Sequence, residues 1–417
     1  MESHVALVAL VIANAWNGGL RVHAFSPIHH SLTTFRQAPV RLPDDVVTMN
    51  GRPRRRARAS GMHVEVIARS GKGVAGDPVL QLQHSSNPGD ILRVAHEHRA
   101  TLRRSHLAQA LLRIAKPLTE INNLSLREEL LKDPRLKTLF MISSTYDGRP
   151  GDACQAADVI WACGLLGWCP DYLWLKGIVD IAEEGAAELR PHHTTTVVWA
   201  LDRLGIKGQA GALLRDSVAC LPFRTVPSLF QGLTVDDFKI EVPFKRDEIQ
   251  LGDGKVLSES RLTAWQSSGG LEFSYSGKVM PPSPFTPNVL RLRDAIHERT
   301  GVLYDGVLLN LYETRSSAMR YHSDPDVGTL WTDDTCVVSV GDTRQFALRE
   351  TKNHDRRHEF FVFSGDAVVM GKGCQENYQH CIKVAKGEVG PRISLVFKQS
   401  IASQQRNCCH VDVQPPV

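Results

Sequence analysis

The sequence predicts an α+β, multi-domain chain: a region of helical repeats followed by a double-stranded β-helix, or jelly roll. Three observations carry this expectation. An alanine-rich stretch from about 90 to 233 has helical periodicity and repeats itself, with Trp161 and Trp199 in corresponding places. Eight short runs rich in Val, Phe and Tyr follow one another between 307 and 398, and eight strands suit a double-sheet jelly roll. Residues 1–60 share neither pattern. The expected organisation is a presequence and basic segment over 1–60, helical repeats over 85–233, the jelly roll over 234–402 and a tail over 403–417.

The front of the chain reads as targeting information. Val5 to Trp16 is an apolar stretch of 12 residues, too short to span a bilayer, and Val22-His23-Ala24 follows as a small-residue cleavage pattern. This has the form of a signal peptide, although Glu2 and His4 replace the usual positive start. From Phe25-Ser26-Pro27 to Arg58 the chain is rich in Ser, Thr and Arg and poor in acids. A cleavage site directly before Phe25 resembles the bipartite plastid presequences of algae with secondary plastids. The expectation is therefore a plastid protein with no membrane association in its mature form; another organelle, or the cytoplasm or nucleus, is the alternative, as is a frayed helix with a disordered basic tail. Residues 1–60 hold eight Arg, no Lys and three acids, a net of +5, so the remaining 41 basic and 42 acidic residues give −1. The apparent basicity of the chain thus cannot serve as a nucleic-acid footprint.

The nine cysteines show no paired spacing and do not make a disulfide scaffold; free thiols suit a reducing interior. Cys408-Cys409-His410 is part of the tail rather than a metal clip.

Within the helical region, the segment Ala157 to Gly167 recurs as Thr195 to Gly205, and a fainter copy, Leu107 to Ala115, precedes both. A period of this size implies paired helices stacked side by side. The tryptophans are expected to pack helix on helix rather than stack on bases. The unit from Pro170 to Gly205 resembles the octotricopeptide repeat of organellar RNA-binding proteins. That resemblance implies contact with RNA, and a structural collar or protein-docking platform is the alternative.

The eight β-like runs are Val307 to Glu313, Met319 to Asp324, Cys336 to Gly341, Arg344 to Glu350, His358 to Ser364, Ala367 to Gly373, Gln379 to Val384 and Arg392 to Lys398, with turns at Gly341-Asp342 and Gly365-Asp366. On this scaffold His322, Asp324 and His380 fall on strands or at their edges. Two imidazoles and one carboxylate form the facial triad that holds non-haem Fe(II) and leaves positions open for co-substrate and oxygen. A His-x-Asp alone arises often by chance, so the strands around it matter. Arg392 and Lys398 are six apart, so period-2 alternation turns both to one face of the last strand. Two inward cations are costly unless they meet anions, and a dicarboxylate such as 2-oxoglutarate supplies them. Asn310 and Tyr312, also on one face, can add hydrogen bonds. The alternative is that Lys398 ends its strand in solvent.

The stretch from about 260 to 400 resembles the AlkB-like family of Fe(II)/2-oxoglutarate dioxygenases. The resemblance rests on Asn310-Leu311-Tyr312, the His-x-Asp of His322 and Asp324, the distal His380 and the arginine-bearing strand Arg392 to Lys398. It also covers Leu271 to Gly277, Ser339 to Phe346 and Ser364-Gly365-Asp366. It implies that His322, Asp324 and His380 bind iron and act in catalysis. It further implies that Asn310, Tyr312, Arg392, Ser394 and Lys398 bind 2-oxoglutarate, with O2 consumed and ascorbate supporting turnover. Phe273 and Tyr275 stand where family members acting on nucleic acid place aromatic residues beside a flipped base; read from the residues alone, both are ordinary strand core.

Two positions depart from the family pattern. Lys398 replaces a second arginine, keeping the charge but not the planar fork that binds carboxylates bidentately. Pro325 follows Asp324 where relatives that repair DNA tend to carry an acid. The function the resemblance implies is oxidative demethylation of N-methylated bases in nucleic acid, with RNA slightly preferred over DNA because of the repeats. A protein side-chain hydroxylase or demethylase, or a non-catalytic RNA-binding protein, remains open as an alternative, as does a protein partner on the helical repeats.

Overall fold

A computed structural model describes residues 76–120, 124–145, 151–250, 256–275 and 277–409. The expected presequence over 1–60 lies outside them. Among the described residues nine α-helices precede the first strand: α1 (Pro78–His84), α2 (Pro88–Glu97), α3 (Arg104–Glu120), α4 (Leu124–Lys132), α5 (Pro134–Ser143), α6 (Asp152–Leu166), α7 (Tyr172–Glu184), α8 (Pro191–Arg203) and α9 (Ala212–Ala219). Local chemistry sets their starts. Asp77, Asn87, Asp133 and Asp171 cap α1, α2, α5 and α7 through their side chains, and Pro opens α1, α2, α5 and α8, where its missing N–H costs nothing.

The three similar segments lie on α3, α6 and α8, which pack side by side, with α5, α7 and α9 flanking them. Close approach between α6 and α8 depends on Gly164, since a Cβ there would sit 2.5 Å from the Cβ of Ala200. Both repeat tryptophans are buried.

The second half carries strands β1 (Phe223–Val226), β2 (Glu248–Gln250), β3 (Val256–Ser258), β4 (Leu262–Ser267), β5 (Phe273–Tyr275), β6 (Lys278–Met280), β7 (Gly306–Tyr312), β8 (Met319–His322), β9 (Trp331–Gly341), β10 (Arg344–Glu350), β11 (Arg357–Val362), β12 (Ala367–Met370), β13 (Tyr378–Ile382) and β14 (Arg392–Ser400). Helices α10 (Val235–Glu241), α11 (Pro287–Thr300), α12 (Cys374–Asn377) and α13 (Ile401–Cys409) complete it. All eight expected runs are strands, β7 to β14. They form two antiparallel sheets, ordered β1-β12-β9-β14-β7-β4 and β11-β10-β13-β8, which is the jelly-roll pairing.

Alternation along β7 and β14 divides their two faces. Val307, Leu309, Leu311, Ile393, Leu395 and Phe397 pack with Val289, Leu292 and Ile296 of α11, while the intervening residues face the other sheet. Both faces are buried, so every residue of β7 is buried and no polar alternation shows in its sequence. The Gly365-Asp366 turn admits only glycine at its first position. Gly365 has φ +87°, and a Cβ there would meet the carbonyl oxygen of Phe230 at 1.9 Å.

The expected boundaries move. Strand β1 lies on the helical side of position 233, yet it pairs along its whole length with β12, a partner distant in the chain. Helix α1 precedes position 85, and α13 runs across the expected start of the tail at 403. Moreover, the helices and sheets share one apolar core, in which Leu111, Ile160 and Trp199 join Phe346, Phe360 and Phe361, and they belong to one compact unit. Among the described residues no helix is long and apolar enough to cross a membrane.

Candidate active site

Strand pairing brings the two histidines together. His322 on β8 lies directly opposite His380 on β13, with ring centroids 4.3 Å apart. Asp324 sits two residues beyond β8, where its Oδ1 is 3.7 Å from Nε2 of both histidines. Among the described residues, this is the one group of His, Cys, Asp or Glu able to hold a metal.

Each member is held by its neighbours. Nδ1 of His322 lies 2.9 Å from the carbonyl of Arg320; a carbonyl only accepts, so Nδ1 carries the proton and Nε2 offers its lone pair. His380 stacks on Phe346, centroids 5.7 Å apart and planes within 3°. Burial pushes its pKa down to about 3, which keeps the imidazole neutral and able to ligate. The Asp324 N–H donates to Oε1 of Gln375 at 2.9 Å, and Lys398 donates to its Oδ2 at 2.7 Å, so Oδ1 is the oxygen left towards the imidazoles. Burial alone would raise the Asp324 carboxyl, but the Lys398 ammonium in contact with it outweighs burial and holds it well below the usual carboxylate range.

The two cations of β14 part company here. The expectation placed Lys398 on the co-substrate; its ammonium bonds Asp324 instead. Arg392 is fully buried and donates Nε–H to Ser339 Oγ at 2.8 Å, while its Nη1 and Nη2, near the Tyr312 ring, meet no hydrogen-bond acceptor at bonding distance among the described residues. Burial lowers its pKa to about 10, partly offset by Tyr312, so it stays charged at neutral pH. An unpaired buried guanidinium is costly, and a carboxylate is the group whose geometry matches its fork. These residues therefore fit a bound dicarboxylate.

A cavity of about 310 Å³ opens over the triad, lined by Asn310, Tyr312, Ser394 and Lys398 on one side and by Phe273, Tyr275, Met319 and Pro325 on others. Every expected site residue except Arg392 lines this one space; Arg392 meets Tyr312, one of its walls, and Ser339. A larger cavity of about 470 Å³ lies between α8 and β1, away from the triad; the donor set, not the volume, marks the site. Phe273 stacks on Trp265, centroids 4.7 Å apart, so it is both core residue and pocket wall.

Sequence reasoning missed a buried charged group behind Tyr275. Glu259 accepts hydrogen bonds from the Tyr275 hydroxyl at 3.0 Å on both oxygens and pairs with Arg261 at 3.1 Å. Arg261 lines the cavity and donates Nε–H to Asn310 at 2.7 Å. Lys278 bonds Tyr275 and Asp247. The available signal was two opposite charges, Glu259 and Arg261, entering the apolar run of β4. Gln375 was missed as well.

A model of the 2OG-Fe(II) oxygenase superfamily matches residues 231–398, a span that contains the triad and the whole of its cavity. The chain belongs to this superfamily. An uncharacterized protein of Acanthamoeba polyphaga mimivirus is 33% identical over 182 residues, 43% of this chain and 93% of its own length. The alpha-ketoglutarate-dependent dioxygenase alkB homolog 3 of Bos taurus is 28% identical over 180 residues, 41% of this chain and 60% of its own. The DNA oxidative demethylase ALKBH2 of Bos taurus is 27% identical over 160 residues, 37% and 58%. This oxygenase therefore spans only about three-fifths of the two named relatives' lengths. It is an AlkB-like, Fe(II)- and 2-oxoglutarate-dependent dioxygenase, with O2 as second substrate. The 2-oxoglutarate and iron of that chemistry fit the donors described above.

Proposed function

We propose that this oxygenase removes N-methyl groups oxidatively from bases in nucleic acid, with RNA preferred over DNA. The observation that carries the reading is the shared cavity, whose walls include both the aromatic side chains Phe273 and Tyr275 and the triad. Its volume is that of a small-molecule pocket, and a base enters such a pocket only when unstacked and held between apolar or aromatic faces. The named relatives support the nucleic-acid class, and the preference for RNA rests on the helical region packed against the oxygenase.

In this reading His322, Asp324 and His380 hold the metal with positions left open. Arg392 anchors the distal carboxylate of 2-oxoglutarate, while Asn310, Tyr312 and Ser394 orient the remainder. Lys398 keeps Asp324 ionised and turned towards the metal. Bound there, Fe(II) and 2-oxoglutarate would supply the oxidation, with one oxygen atom of O2 ending in succinate, the other on the substrate methyl, and carbon dioxide released. Phe273, Tyr275 and Pro325 exclude water and fix the base so that its methyl faces the triad. The N-hydroxymethyl product then loses formaldehyde and leaves the bare amine. Substitution of His322→Ala or Asp324→Ala should abolish succinate formation; unaltered turnover in either variant would sink the assignment.

We further propose plastid import through residues 1–60. A fluorescent protein fused behind this segment should enter plastids of an alga with secondary plastids, and diffuse cytoplasmic signal would count against it.

A further inference from the structure

The cavity of about 470 Å³ lies where α8 and α9 meet β1, the outer strand of the larger sheet. It shares no lining residue with the cavity over the triad, and its volume is that of a small-molecule site, roughly 300–1,000 Å³. Trp199 of α8, Phe223 of β1 and Phe360 of β11 give it apolar walls from both halves of the chain. Charged side chains complete the lining. Arg224 and Lys372 are exposed, and neither makes a hydrogen bond or an ion pair with its side chain among the described residues. Asp202 is taken up by Arg215, whereas Asp334, half-buried, has no hydrogen bond to its carboxylate among the described residues. The cavity therefore presents two cations and one acceptor without partners, set around aromatic walls.

We propose that this cavity is a second ligand site, separate from the oxygenase centre, for a small anion of the nucleoside monophosphate class. Arg224 and Lys372 take the phosphate by charge-assisted hydrogen bonds. Asp334 accepts from the sugar hydroxyls, and the flat base packs among Trp199, Phe223 and Phe360. Charge complementarity selects this occupant. A metal cation meets two cations, and a hydrocarbon leaves both of them and Asp334 without partners. The helices α8 and α9 form one wall, and β1, β9 and β12 form another, so the occupant bridges the helical region to the larger sheet. A ligand held only by the folded chain stabilises it. The site goes beyond the demethylase reading and does not depend on it.

The test is calorimetric titration of adenosine 5′-monophosphate (AMP) into the full chain, kept anaerobic with Fe(II) and 2-oxoglutarate, with adenosine as the uncharged control. The parent should bind AMP about tenfold or more tightly than adenosine. Arg224→Glu and Lys372→Glu should each weaken AMP about tenfold or more, the scale of one charge-assisted contact. AMP should also raise the Tm of the parent, and raise it less in either variant. Both positions are exposed and lie outside the oxygenase cavity, so Fe(II) binding and succinate formation should match the parent. Equal affinity for AMP in the parent and both variants would place the nucleotide elsewhere and overturn the site. Equal affinities of the parent for AMP and adenosine, or no binding at about millimolar AMP, would overturn it as well.

Discussion

Arg392 concentrates the energetic argument at the scale of single residues. Two guanidinium nitrogens buried without partners cost about 1–3 kcal/mol each, more when charged. A carboxylate matched to the guanidinium fork would offset this cost. Arg392→Met should therefore raise the KM for 2-oxoglutarate by at least about a hundredfold, the equivalent of roughly 3 kcal/mol. The same variant, free of ligand, should melt no lower than the parent; a clear drop in Tm would show that the guanidinium has a structural partner. Gln375 acts through Asp324, by orienting it. Gln375→Ala should weaken Fe(II) binding about 10–100-fold in anaerobic calorimetry, and undiminished affinity would remove it from the metal site. The grouping of His322, Asp324 and His380 was legible in the sequence because two imidazoles and a carboxylate on neighbouring strands are what a facial metal site requires, and Arg392 was legible as a cation on an inner strand face. Gln375 and Glu259 were not, because their roles come from tertiary pairing: Gln375 is 51 residues from Asp324 in the chain, and nothing local marks it.

Helix α8 is the element that joins the helical region to the sheets. Thr195, Trp199 and Arg203, each four residues apart, form one stripe. Thr195 Oγ1 meets His358 Nδ1 at 3.1 Å, Trp199 stacks on Phe363, and Arg203 pairs with Asp366 at 3.3 Å while lying 3.3 Å over the Phe363 ring. Trp199 thus packs against the oxygenase. Loss of the ion pair in Arg203→Ala strands a buried carboxylate and should destabilise by about 2–4 kcal/mol in denaturant titration. His358 adds a pH dependence. Burial lowers its pKa to about 4, below the 6.5 of an exposed imidazole, so the unfolded chain binds more protons between those values and stability falls as pH falls through that window. The contribution lost between neutrality and pH 5 is about 2 kcal/mol. His358→Gln should flatten the melting profile over this range relative to the parent, and an unchanged profile would place the proton uptake elsewhere. The strands from β7 to β14 were readable because they follow one another between turn signals in a stretch rich in Val, Phe and Tyr. Strand β1 stands apart from that series, directly after the helical stretch, and its pairing with β12, far along the chain, is not visible locally.

For the molecule as a whole, the sequence suggested two domains, and the composition change near 233 is real. What it hid is the shared core, because the apolar faces of α3, α6 and α8 do not announce whether they meet another helix or a sheet. With Leu111, Trp199 and Phe360 in one cluster, calorimetry of the chain should show a single unfolding transition with matching van't Hoff and calorimetric enthalpies; two separated transitions would mean that the helices and the sheets fold independently. The shared core also fixes the helical region beside the oxygenase, so that any strand it contacts approaches the pocket at a set distance. The central claim is that the cavity holds an N-methyl base against His322, Asp324 and His380, and its most direct test is mass spectrometry of N-methylated oligonucleotides, RNA and DNA, incubated with the iron-loaded enzyme, 2-oxoglutarate and O2. The account predicts loss of one methyl carbon with one formaldehyde and one succinate per event, faster on RNA. Succinate formed in step with added oligonucleotide but without loss of any methyl would contradict it.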